Sequence, residues 1–161
     1  MIGQTFSRFL MQRDGYRSRI RWGRASAAAF GAVLVAAASM HLFAAPPANL
    51  DYSRTRVSVR GVYRATIIPQ GDTIRVGRMH AWKLHIETSG GQLVDDATVT
   101  VNGGMPHHGH GLPTKPRVTR SLGHGDYVVE GMKFNMGGWW VVKFAIAAPA
   151  GADTVTFNLK L

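Results

Sequence analysis

From Val62 to Leu161 no segment keeps a helical period, and the apolar residues there alternate with polar ones. That property restricts the folded part of the chain to β structure, because alternation at period two buries one face of a strand and wets the other. The clearest strand is the last, where Val155, Phe157, Leu159 and Leu161 alternate with Thr154, Thr156, Asn158 and Lys160. In residues 80–87, His80, Trp82, Leu84 and Ile86 face one way and Lys83, His85 and Glu87 the other. Residues 139–146 alternate too, with Trp140, Val142, Phe144 and Ile146 on the core side. Shorter strands are expected at 63–68, 97–101, 117–122 and 127–130, with Gly-, Pro-, Asn- and Asp-rich turns between them. Val99 and Val101 belong with the expected core. About seven short strands predict an all-β fold, an immunoglobulin-like antiparallel β-sandwich. A small closed barrel is the alternative.

The N-terminal part follows another logic. Arg8, Arg13, Arg17, Arg19, Arg21 and Arg24 stand against the single acid Asp14, so half of the formal +10 charge lies in the first 24 residues. Residues 25–45 form an uncharged, mostly apolar run of 21 residues broken only by Ser26, Ser39 and His41. As a helix this run is roughly 31 Å long, enough to cross a bilayer core. Arginines before it hold the N-terminus in the cytoplasm. The expected layout is a basic cytoplasmic tail (1–24), a transmembrane anchor (25–45), a linker (46–61) and the β-sandwich (62–161). A cleaved signal peptide is the alternative for 25–45, since Ala36-Ala37-Ala38 has the small side chains of a cleavage site. Either way the C-terminal domain faces the periplasm, tethered to the inner membrane or secreted.

Charge and composition exclude several functions. The lysines and arginines after the tail are scattered and not interleaved with aromatics, so no nucleic-acid partner is expected. With no cysteine there is no disulfide, thiol nucleophile or zinc-finger site. The few carboxylates lie mostly in turns, and neither a Gly-x-Ser-x-Gly elbow nor a phosphate-cradling loop occurs. An enzyme is not expected.

One stretch carries distinctive chemistry: Met105-Pro106-His107-His108-Gly109-His110-Gly111. Imidazole is the commonest metal-ligating side chain, and thioether beside imidazole without thiolate favours copper over zinc. His108 and His110, two apart in an extended segment, point the same way, and His107 points away. Met105 is either a soft ligand or an apolar plug. The ordinary alternative is a surface loop whose histidines bond nearby carbonyls. A second stretch, Met132-Lys133-Phe134-Asn135-Met136-Gly137-Gly138-Trp139-Trp140, offers Met136 in a glycine turn as a thioether, while Met132 reads as core filling. His80 lies on an inward face near its strand's start, His85 on the polar face and His124 in a Gly-flanked hairpin turn.

These pieces together are specific. Met79-His80-Ala81-Trp82, Gly104-Met105-Pro106-His107-His108-Gly109-His110-Gly111 and Met136-Gly137-Gly138-Trp139-Trp140 resemble the YtkA-like and FixH-like exported domains of bacteria, over roughly residues 63–161. The resemblance implies a membrane-tethered or secreted sandwich and, for FixH-like members, an association with building copper-containing respiratory oxidases. Carried onto this sequence, it implies a metal site of Met105, His108 and His110, with His80 and Met136 as additions. The expected function is a periplasm-facing copper-binding protein, anchored through its N-terminal helix, that passes copper to an oxidase or another copper-receiving protein. The competing expectation is a structural or interaction module that docks on a membrane complex without metal.

Overall fold

The computed structural model describes residues 46–71 and 73–161, and the expected tail and anchor, residues 1–45, lie outside the described residues. The described part is all-β. Its strands are β1 (Thr55–Val57), β2 (Tyr63–Pro69), β3 (Met79–Thr88), β4 (Thr98–Met105), β5 (His110–Gly111), β6 (Arg117–Gly123), β7 (Asp126–Lys133), β8 (Trp139–Ala148) and β9 (Gly151–Lys160). Every pairing is antiparallel, in the order β1-β2-β3-β7-β6-β4-β8-β9, with β5 added to β4.

This path folds over on itself. Between β6 and β4 the register has one residue pair, Thr100 with Arg117, whereas β8 and β9 pair over their whole lengths. The sheet therefore bends at that seam into two layers, β1-β2-β3-β7-β6 and β4-β8-β9, that face each other as a sandwich. On the opposite side it nearly closes: the Val59 amide donates to the Thr154 carbonyl (2.9 Å) and the Asn158 side-chain amide to the Asp51 carbonyl (3.0 Å). Near-closure hides the sheet edges that would otherwise pair with other chains.

Between the layers lie Tyr63, Ile67, Trp82, Leu84, Ile86, Val129, Phe134, Trp140, Phe144 and Phe157, all buried. The alternation of β3, β8 and β9 is what sends these side chains inward. Phe144 meets Phe157 edge to face at 5.8 Å, one of the arrangements aromatic quadrupoles favour. Val99 and Val101 are only partly buried, since β4 borders the seam where the layers part.

The strand count departs from the expected seven in two places. Residues 51–61, read as linker, contribute β1, whose Thr55 hydroxyl contacts the Thr66 hydroxyl at 2.9 Å. They also bury Ser58, whose hydroxyl accepts from the Tyr63 amide (2.9 Å). The run Asn102-Gly103-Gly104, read as a turn, continues β4 to Met105, and β5 folds back onto it.

Topology fixes which segments meet at one end of the sandwich. β4 ends there and β8 begins, because Gly104 pairs with Val141. β7 ends and β3 begins there too, because Met79 pairs with Lys133. Leu161 and Gly138 exchange backbone hydrogen bonds (2.8 and 3.0 Å) at the same end.

Candidate metal centre

The β4–β5 hairpin shapes the histidine segment. Pro106 fixes its own φ directly after Met105, which starts a turn. The amides of His108 and Gly109 both donate to the Met105 carbonyl (3.0 and 3.1 Å), and Gly109 adopts φ +64°, where glycine has no steric cost. The chain then re-enters the ladder, with Met105 opposite His110 and Gly104 opposite Gly111. The glycines of β4 make this possible. A Cβ on Gly104 would sit 2.5 Å from the His110 carbonyl oxygen, and one on Gly103 2.7 Å from that of Val141.

Directly opposed residues in an antiparallel pair project to the same face, with Cβ atoms about 5 Å apart. Met105 and His110 are such a pair. The His108 ring stands beside that of His110, centroids 5.8 Å apart and planes inclined by 35°. Their proximity comes from the turn, not from the i, i+2 alternation of an extended segment. Met105, His108 and His110 thus form one cluster, with the Met105 side chain buried and His108 exposed.

The connection from β7 to β8 forms the wall behind this cluster. Trp140 is fully buried and meets His110 edge to face at 6.0 Å. Its indole N–H donates to the Met136 carbonyl (3.1 Å), and its ring packs against Phe134 (5.1 Å), which stacks on Trp82 (6.0 Å). Gly138, at φ +121°, leaves room for Met105: a Cβ there would lie 2.8 Å from the Met105 methyl. Beside the hairpin is a cleft of about 270 Å³ bordered by Asn102, Met105, His110, Val141 and Lys143.

The other expected residues are placed separately. Met136 is on the rim, 37% exposed. The Nε2 of His80 lies 2.9 Å from the carbonyl and 3.1 Å from the amide of Arg75, so the loop after β2 engages it. His107 packs edge to face on Trp139 (4.9 Å), which alternation puts on the opposite face of β8 from Trp140. His124 takes φ +57° in the two-residue turn joining β6 to β7. The His85 Nδ1–H donates to one Asp126 carboxylate oxygen (2.7 Å), and the Lys83 ammonium donates to the other (2.8 Å). Burial pushes the Asp126 carboxyl up, but the bonds from Lys83 and His85 outweigh it and hold the group below the ordinary carboxylate range.

Among the described residues no three side chains of His, Asp or Glu come together as a metal group. A centre here has to be completed by thioether. The donor set fits that requirement, because two imidazoles sharing one ion at metal–nitrogen distances of about 2 Å have centroids roughly 5–6 Å apart. Sequence reasoning did not find the Lys83–His85–Asp126 cluster, in which Asp126 of β7 is 43 and 41 residues from its two partners on β3. It also missed the role of Gly138, which the run Gly137-Gly138 beside two tryptophans signals as a place of close approach.

The family model described as YtkA-like matches residues 58–145. The chain belongs to the YtkA-like family. The match covers β2 through most of β8 and so includes the hairpin and its wall. Among curated proteins none matches this YtkA-like chain. A solved structure, "ZirS C-terminal Domain", is similar at 8% identity over 74% of this chain and 84% of that one, with a TM-score of 0.38.

Proposed function

We propose that this YtkA-like domain is an exported copper-binding module, held at the inner membrane by residues 25–45, that presents its ion to a copper-receiving protein such as an assembling oxidase. The observation that carries the reading is the pairing of Met105 with His110, beside which the His108 ring lies at 5.8 Å. Two imidazoles and a thioether on one face are a donor set suited to copper. Met136 on the rim is the further thioether, and His80 joins only if its contact with Arg75 is released. Exposed Val76 and Met136 in the connections, and Met79 at the start of β3, lie at this end and give a receiving protein an apolar rim to meet. We also assign the sandwich to the immunoglobulin-like class, with the β1 and β5 strands as additions.

The test is copper titration of the purified, detergent-solubilised full chain, beside the His108→Ala/His110→Ala double variant. One tightly held ion per chain is expected for the parent and none for the variant. Near-ultraviolet circular dichroism of the two should agree, because the substitutions lie outside the core. Unchanged affinity in the double variant would exclude this site and favour a module that docks without metal.

A further inference from the structure

The two segments that build the pocket share an unusual electrostatic property. No Asp or Glu occurs between Ala97 and Gly125, nor between Gly131 and Ala152. These stretches supply β4, the hairpin, β5, the β7–β8 connection and β8. The charged side chain bordering the adjacent cleft is the ammonium of Lys143, and no ion pair neutralises it among the described residues. An ion at Met105, His108 and His110 therefore keeps its full charge, since every donor is neutral.

Its surroundings are those of a protein interior on one side. Met105 is 2% exposed, and Trp140 behind His110 is fully buried, backed by Phe134 and Trp82. The cost of moving an ion out of water rises with the square of its charge, so a dication pays roughly four times what a monocation does. Imidazole also binds divalent ions, but in surroundings of low polarity it is carboxylate or thiolate ligands that offset their double charge, and neither is built into this pocket. A soft monocation loses less and gains from thioether. The Trp140 ring, its centroid 6.0 Å from that of His110, closes the protein side of the donors with apolar surface.

We infer that the hairpin pocket selects a soft monovalent ion, Cu(I) among physiological metals, and discriminates against Cu(II) and Zn(II), with Trp140 forming part of the ion's wall. This rests on the copper-site reading above and narrows it to one oxidation state. Discrimination comes from what surrounds the donors, since His and Met alone would accept copper in either state. His107 and Trp139, on the other face of β8, take no part.

Silver(I) serves as a redox-inert monovalent probe. The full chain is titrated with Ag(I), with Cu(I) under anaerobic conditions, and with Cu(II) and Zn(II), following tryptophan fluorescence and heat. The monovalent ions should bind at least about a hundredfold more tightly than the divalent ones. Met105→Leu should weaken Ag(I) about tenfold and leave Zn(II) within about twofold. Trp140→Phe should remove most of the ion-induced fluorescence change, and Trp139→Phe should leave it in place. Cu(II) or Zn(II) binding as tightly as Ag(I) overturns the selectivity while the copper site stands. A fluorescence change that survives in Trp140→Phe removes that residue from the wall. If no ion binds the folded chain, the site itself is wrong.

Discussion

At the scale of single residues, the candidate centre depends on side chains that are absent. Gly104 lies opposite Gly111, and its position leaves no space for a methyl group against the His110 carbonyl. Gly104→Ala should push β5 off β4 and separate Met105 from His110. The expected result is metal affinity lowered tenfold or more (about 1.4 kcal/mol), with the core's near-ultraviolet signal kept. Parent-like affinity in Gly104→Ala would mean that the hairpin tolerates a shift and does not preorganise the donors. Gly138 works in the same sense from the other side, because the Met105 methyl fills the place of its missing Cβ. Individual roles of this kind were only partly legible in the sequence. Met105, His108 and His110 stand out by type and spacing. That His110 faces Met105 depends on the register of a tight hairpin, and that Trp140 closes the back depends on the pairing of β4 with the distant β8, Gly104 opposite Val141.

At the scale of elements, β3 and β7 are joined by more than their ladder. Lys83 and His85 of β3 both bind the carboxylate of Asp126, the first residue of β7. Because the folded Asp126 carboxyl titrates below its unfolded value, it contributes stability above about pH 4, and that contribution is lost as pH falls through the folded value. Thermal midpoints should hold steady above about pH 4 and fall below it. Asp126→Asn should melt earlier than the parent at pH 7, and the gap should close toward pH 2. A gap that stays constant across that range would mean the charge on Asp126 is not what matters. Strands were legible where one face is buried: β2, β3, β8 and β9 alternate cleanly because the core takes every second side chain. β1 was not, since an edge strand of three residues with Val57 exposed carries no such pattern. The end of β4 was hidden by composition. Its glycines look like a turn, yet they sit inside a strand because neighbouring backbones approach too closely for anything larger.

At the scale of the whole molecule, no helix among the described residues is long and apolar enough to cross a membrane. If residues 25–45 are an uncleaved anchor, the chain should stay with membranes through a carbonate wash and keep its N-terminal arginines by mass spectrometry. A soluble periplasmic product that begins near Ser39 or Ala45 would identify a signal peptide instead. The layered fold places the hairpin at one end, where β3, β4, β8 and β9 all begin or finish. Yet its three principal donors span only six residues of chain, from Met105 to His110. Gathering them closes almost no loop, so little chain entropy is spent and an unfolded segment can also gather them. Linkage rewards the folded state only for affinity that the unfolded chain lacks. Cargo held at this hairpin would then fasten the protein together only weakly, and the protein in turn could give it up without loosening its core.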